Sequence, residues 1–311
     1  MDNEHAHEPV LVDEALALLR LEAGDYYVDA TFGRGGHTAR ILAALGGEGR
    51  VLAIDRDPEA IEAGRRRFAG EMRLTLVHAS FSALRELVPH GPGARPWRGV
   101  LFDLGVSSPQ LADPRRGFSF RADGPLDMRK DPTRGQPVSA WLARASLDEI
   151  REVIATLGEE RYARRVAQAI VDARRTTPPR TTGELAALVA RAVPTREPGK
   201  HPATRTFQAL RMHVNDELGE LEKGLAAAID VLAPGGRLAV ISFHSVEDRV
   251  VKRFLKTASS VDPVFAGLPE IPAAARPRLA LVGRKTRPDA AELSRNPRAR
   301  SALLRGAEKL P

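Results

Sequence analysis

Cysteine is absent from all 311 residues. That excludes disulfides and thiolate metal sites, and it suits a reducing cytoplasm, which is the localisation we expect. No apolar run approaches the roughly 18 residues of a membrane span. The first eight residues, Met1 to Glu8, are polar and acidic and do not read as a signal or transit peptide. Apart from His5 and His7 in that segment, no histidines or carboxylates show metal-ligand spacing. Lysine is scarce as well, with seven among 47 basic residues. The cations are therefore nearly all arginine, whose planar fork suits phosphates and the faces of bases. A Gly-Lys-Ser/Thr phosphate loop is missing too.

Against these absences stands one dense segment. Tyr26-Tyr27-Val28-Asp29 is a strand ending in a carboxylate, and the glycine-rich turn Thr31-Phe32-Gly33-Arg34-Gly35-Gly36-His37 leads into a helix from Thr38 to Leu45. Glycines turn without a Cβ clash and let a ligand approach the backbone. A second strand, Arg50 to Ile54, delivers Asp55, placed to accept from ribose hydroxyls. A dinucleotide fingerprint needs a third glycine where Thr38 stands. Asp29 would also repel a pyrophosphate and better suits a cationic amino-acid group. S-adenosylmethionine, with an amino-acid end, a sulfonium, a ribose and no phosphate, fits this pocket best.

Strands and helices then alternate. Pro58 to Ala69 reads as a helix, Leu74 to His78 as a strand, and Gly99 to Asp103 as a strand that again ends in a carboxylate. The rhythm argues a parallel, doubly wound α/β sheet. It stops at Gln110 and resumes near Asn215, with a helix from Leu218 to Leu232, the turn Pro234-Gly235-Gly236, and a strand from Arg237 to Ile241. Between them lie loops rich in Pro, Gly and Arg, and helices at Leu147 to Leu157, Glu159 to Arg175 and Thr181 to Ala192, the last capped by Thr181 or Thr182. The expected organisation is an α/β domain of residues 1–109 and 215–311 with a helical insert, 110–214, as a recognition domain. Arg278 to Val282 is the final strand candidate, followed by an arginine-rich tail.

Charge follows that division. Residues 110–214 hold 19 basic and 12 acidic side chains, and residues 276–311 hold 10 and 3, whereas the two remaining segments are net acidic. Clustered arginine of this kind is an electrostatic footprint for nucleic acid.

Several segments carry candidate chemistry. The fourth strand opens into Leu104-Gly105-Val106-Ser107-Ser108-Pro109-Gln110, beside the cofactor pocket by the rule for open α/β sheets. Enzymes that methylate exocyclic amines place a polar–Pro–Pro–aromatic turn there. Ser108-Pro109-Gln110 matches it in part, and reads equally as an ordinary proline turn. Phe118 or Phe120 are candidates to stack a base in place of the missing aromatic. Phe81 has two readings, an apolar contact for adenine or a core side chain. His37 offers its backbone N–H more than its ring. His244 lies in Ser242-Phe243-His244-Ser245-Val246-Glu247-Asp248, where Ser245 and Asp248 at capping spacing favour a structural role. His201 to Arg211 reads as an RNA-facing surface or a docking helix. Methylation at pyrimidine carbon 5 commonly needs a thiolate, so a pyrimidine substrate here is expected to accept at nitrogen or oxygen.

Taken together, these segments resemble the bacterial MraW family, also called RsmH. The likeness is carried by Asp29 to His37, Ile54 to Asp57, Asp103 to Leu111, Gly117 to Phe120, Gly124 to Arg129, His201 to Arg211, Ser242 to Ser245 and Asn296 to Ser301. The resemblance implies a Rossmann-like class I S-adenosylmethionine-dependent methyltransferase fold with an inserted helical domain. It further implies methylation of the N4 amine of a decoding-centre cytidine in 16S small-subunit ribosomal RNA, with the small ribosomal subunit as partner. Cofactor contacts are implied at Gly35, Gly36, His37, Asp55, Phe81, Asp103 and Gln110, with no metal, and the catalytic group stays unassigned. Two alternatives remain: a DNA or tRNA amino-methyltransferase on the same core, and a non-catalytic RNA-binding assembly factor holding the cofactor as a structural ligand.

Overall fold

A computed structural model describes residues 9–88, 95–195, 197–265 and 267–311. The chain divides into two compact units, Met1–Gly105 with Leu218–Pro311, and Val106–Glu217. The joints fall at Gly105 and Glu217 rather than after residue 109 and before 215. His5 and His7 lie outside the described residues.

The first unit is built on seven strands: β1 (Tyr26–Asp29), β2 (Arg50–Asp55), β3 (Leu74–His78), β4 (Trp97–Asp103), β5 (Leu232–Ser242), β6 (Leu279–Thr286) and β7 (Leu303–Lys309). Their order in the sheet is β3-β2-β1-β4-β5-β7-β6. β1 to β5 are parallel, and β7 enters antiparallel between β5 and β6. This is the Rossmann-like class I methyltransferase arrangement, with one correction to the sequence reading. The arginine-rich tail does not trail away; it returns as β7, inside the sheet.

Both faces of the sheet are covered, so the central strands are apolar throughout rather than alternating. Val28, Ile54, Val100, Phe102 and Val240 face one core with Leu225 and Val251. Tyr27, Val51, Leu101, Ala239 and Ile241 face the other with Leu19, Ile41 and Leu304. Helix Val12–Leu19, unforeseen from sequence, closes this second face. Gly99 is required there because a Cβ would lie 2.6 Å from the Tyr27 ring. The Pro234-Gly235-Gly236 turn is absorbed as an irregularity of β5, whose pairing with β4 jumps from Leu232 to Arg237.

The second unit is helical, with helices Val138–Arg144, Leu147–Gly158, Ala163–Thr176, Thr182–Ala192 and Thr204–Val214. Among its described residues the sole β feature is an isolated bridge, Pro125 to Thr181. Thr181, not Thr182, is the cap, in a reciprocal box with Glu184. The unit has its own core, including Leu126, Trp141, Ile154, Ile170, Leu185 and Leu210.

Candidate active site

The strand order reverses direction between β1 and β4, and ligands bind open α/β sheets at the carboxyl ends of strands beside such a switch point. In this chain Asp29, Asp55 and Asp103 end β1, β2 and β4.

Asp55 clamps the glycine turn. One carboxylate oxygen accepts from the Gly33 amide at 2.7 Å, and the other from the Asp57 amide at 2.9 Å. Gly33 and Gly35 both hold left-handed backbone, with φ of 55° and 72°. A Cβ on Gly35 would sit 2.6 Å from the rings of both Phe32 and Phe68, and one on Gly36 would sit 2.8 Å from Pro9. These glycines are therefore demanded by the chain's own packing, in addition to any approach by a ligand.

The three acidic groups in this region differ in environment. Asp29 is 1% exposed and is satisfied internally, accepting from the Thr38 hydroxyl at 2.6 Å and the Thr31 amide at 3.2 Å. Burial raises its pKa. The sequence reading gave Asp29 a cationic ligand; the structure spends it on the turn instead. Asp103 is the group left to receive one. Its side chain keeps 24% of its surface, yet its Oδ1 is buried without a hydrogen-bond partner. Burial, then the nearby charges of Asp29 and Glu247, push its pKa well above the ordinary carboxylate range. A desolvated carboxylate with an unpaired oxygen, crowded by other acids, calls for a cation. The ammonium and sulfonium of S-adenosylmethionine are of that charge, so the residues present fit the cofactor expected from sequence.

His37 contributes its ring after all. It is 4% exposed, with Nε2 3.1 Å from the Val10 carbonyl and Nδ1 3.6 Å from Asp103 Oδ2. The imidazole thus ties the segment before the first helix to the wall of the site. Nothing in the turn's sequence signals this, because Val10 is 27 residues away.

The remaining candidates divide. Phe81 follows β3 and is half-buried, edge-on to Phe102 at 5.4 Å and packed against Gly224, where a Cβ would be 2.6 Å away. Gln110, in the second unit, is 5% exposed and closes a reciprocal cap with Ser107, accepting from the Ser107 amide at 3.0 Å. Phe118 is 6% exposed, with the Arg116 guanidinium over its ring. Phe120 packs between His201 and Phe207 at 4.7 and 4.8 Å. Phe120 thereby packs against the helical unit's core. His244 is itself the cap of helix Ser245–Ala258, with its Nδ1 accepting from the Glu247 amide at 3.4 Å and its Nε2 3.0 Å from Glu247 Oε1. The Ser245–Asp248 pairing read from sequence is replaced, since Asp248 pairs with Arg305 at 2.7 Å. His201 to Arg211 forms a docking helix within its unit: Gln208 donates to the Leu157 carbonyl at 3.1 Å and Arg205 to the Glu159 carbonyl at 2.9 Å.

The Asp55 clamp yields a prediction. Asp55→Ala removes two charge-assisted backbone bonds and the acceptor expected from sequence for a ribose, together worth about 1.5–3 kcal/mol or more. Calorimetry is expected to show S-adenosylmethionine affinity down at least about tenfold, alongside a lower melting temperature. An unchanged affinity in the folded variant contradicts the assignment.

Comparison with known proteins completes the site. A family model described as the MraW methylase family matches residues 4–310. The chain is 53% identical over 314 residues to the ribosomal RNA small subunit methyltransferase H of Dechloromonas aromatica, covering 100% of each protein. It is 55% identical over 305 residues to the protein of the same name from Halorhodospira halophila, covering 98% of this chain and 94% of that one. With the model spanning nearly the whole chain, and with a site suited to a cationic methyl donor, the chain belongs to the S-adenosylmethionine-dependent MraW methylase family.

Proposed function

We propose that this chain methylates the exocyclic N4 amine of a decoding-centre cytidine in 16S ribosomal RNA of the small subunit, in the cytoplasm. Asp103 Oδ1, buried and without a hydrogen-bond partner beside the switch point of the sheet, carries the reading, because such a carboxylate suits a cationic methyl donor. The names of the relatives from D. aromatica and H. halophila support small-subunit ribosomal RNA as the substrate. The absence of cysteine supports an amine acceptor over pyrimidine carbon 5.

When bound, S-adenosylmethionine supplies an electrophilic methyl group on a sulfonium. Asp103 would hold its ammonium, Asp55 its ribose, and the backbone at Gly35 and Gly36 its closest approach. Phe81 and Gln110 complete the proposed contacts. His37 orients Asp103 and the Val10 segment. The loop that leaves β4 turns at Gly105, whose φ is 101° and which lies against the Phe243 ring. That loop is where acceptors for the amine hydrogens belong, since an amine conjugated with its ring becomes nucleophilic as its nitrogen pyramidalises. The second unit, with 19 basic side chains among residues 110–214, is the proposed RNA-recognition element.

Substrate class is tested by transfer of labelled methyl to naked 16S ribosomal RNA, small subunits lacking the modification, transfer RNA and duplex DNA. Label on ribosomal RNA, free or assembled, is expected. Label confined to transfer RNA or DNA would select the other amino-methyltransferase reading, and cofactor binding with no transfer at all the assembly-factor reading.

A further inference from the structure

The arginine-rich excursion that joins β6 to β7 has no part in the site described above, and its position gives it one. β7 is antiparallel to both β5 and β6, so β6 runs parallel to β5. Thr286 pairs with Leu304, and Ser242, the last residue of β5, pairs with Leu303. The excursion therefore leaves and re-enters the sheet at the carboxyl end of β5, the end on which Asp29, Asp55 and Asp103 stand. It is fastened there. Glu292, 8% exposed, accepts from the Leu11 amide at 2.8 Å, while the neighbouring Val10 carbonyl meets His37 at 3.1 Å.

Charge in this segment is lopsided in three dimensions as well as in sequence. Arg284, Lys285, Arg287, Arg295, Arg298 and Arg300 are all exposed. Of the two acids between them, Glu292 is buried and accepts from the Leu11 amide, and Asp289 caps helix Ala290–Arg295 by accepting from the Glu292 amide at 2.7 Å. Elsewhere in this unit arginines are used for structure: Arg278 pairs with Asp230, Arg305 with Asp248 and Arg237 with Glu308, at 2.6 to 2.7 Å. Arg284, Lys285, Arg287 and Arg300 have no ion pair among the described residues. Exposed guanidinium groups free of internal carboxylates are suited to bidentate capture of phosphate oxygens.

We infer that the segment from Arg284 to Arg300 is a phosphate-backbone docking surface for RNA on the methyltransferase unit itself, at the cofactor end of the sheet. The inference rests on the RNA reading above and adds to it a second anchor besides the helical unit. RNA fits better than an anionic membrane because the exposed apolar side chains here are only Leu281 and Leu293 among the large hydrophobics.

The test is a quadruple variant, Arg284→Ala, Lys285→Ala, Arg287→Ala and Arg300→Ala, in the full chain. Its binding to transcribed 16S ribosomal RNA is measured across a salt series, next to the parent. Removing one phosphate-binding cation makes the log–log slope shallower by about 0.7–0.9, so a reduction of about 2.8–3.6 is expected for the four together. The KM for RNA should rise at least tenfold, with kcat at saturating RNA and affinity for S-adenosylmethionine unchanged. A variant with lysine at the three arginine positions should keep the parent slope. Parent-like slope and KM in the quadruple variant, with a parent that binds RNA steeply, overturn this inference alone. A parent with no salt-dependent RNA affinity overturns the RNA reading and this inference with it. Loss of binding to phosphatidylglycerol vesicles with RNA binding untouched assigns the surface to a membrane and overturns it too.

Discussion

Asp103→Asn is expected to lose cofactor while gaining stability. The substitution keeps the shape of the side chain and removes the charge that a cationic ligand needs. A charge-assisted hydrogen bond is worth about 1.5–3 kcal/mol, so the affinity for S-adenosylmethionine should fall about 10- to 150-fold. Stability should move the other way. The Asp103 carboxyl titrates well above its ordinary range in the folded chain, chiefly through burial. Below the unfolded pKa, about 3.9, both states are protonated and the group contributes nothing. As pH climbs from there toward the raised folded value, the ligand-free protein becomes progressively penalised, and above that value the penalty is complete. Asn removes the penalty, so the variant's advantage in melting temperature should be larger at pH 8 than at pH 5. The parent's cofactor affinity should rise over the same interval, since a cation binds the ionised form, and this rise should flatten in the variant. A variant that binds the cofactor as tightly as the parent, or that is less stable at pH 8, would remove Asp103 from its role.

Gly124→Ala should separate the two units. A Cβ at this position would lie 1.9 Å from the Pro114 carbonyl oxygen, a backbone atom with no rotamer to yield. Its carbonyl also accepts from the Thr182 amide at 2.8 Å, and its own amide donates to the Thr182 hydroxyl at 3.1 Å, so the strand of chain cannot simply back away. Overpacking of this kind costs about 1–3 kcal/mol or more. Hydrogen exchange should show the loss within residues 106–217, while the sheet keeps its protection. Activity on RNA should collapse. Uniform loss of protection across both units would mean that they do not open independently.

How much of this was legible in the sequence depends on how local the signal is. The βα units from Tyr26 to Asp103 were readable because buried parallel strands are short apolar runs punctuated by carboxylates and glycines. The Asp55 position followed from the same pattern. β7 was not readable. Leu303-Leu304-Arg305-Gly306-Ala307-Glu308-Lys309 has no β-branched residue and a glycine at its centre. Its pairing is supplied from a distance by β5 and β6, and Gly306 is needed because a Cβ would lie 2.3 Å from the Leu18 side chain. Helix Val12–Leu19 was missed for a related reason. It starts from Leu11 in left-handed backbone without a side-chain cap, so no capping signal announces it.

Site chemistry divided in the same way. Sequence placed three carboxylates at strand ends, but which of them is satisfied internally depends on Thr31 and Thr38, and only geometry shows Asp29 consumed and Asp103 left open. Phe118 and Phe120 are stacking candidates in the sequence because the turn Ser108-Pro109-Gln110 lacks an aromatic; the packing partners of Phe120, His201 and Phe207, lie some 80 residues downstream. For His244 the sequence points to a cap made by Ser245 and Asp248, whereas the histidine caps the helix with its own Nδ1, a role with no common sequence signature.

The chemistry itself is tested most directly by identifying the product nucleoside. Small subunits lacking the modification are incubated with the protein and S-adenosylmethionine, the RNA is digested to nucleosides, and the methylated species is resolved by mass spectrometry against authentic standards. N4-methylcytidine, from a single site at the decoding centre, is the predicted result. A product of 5-methylcytidine or 2′-O-methylcytidine would contradict the account, whatever the affinity of the site for its cofactor.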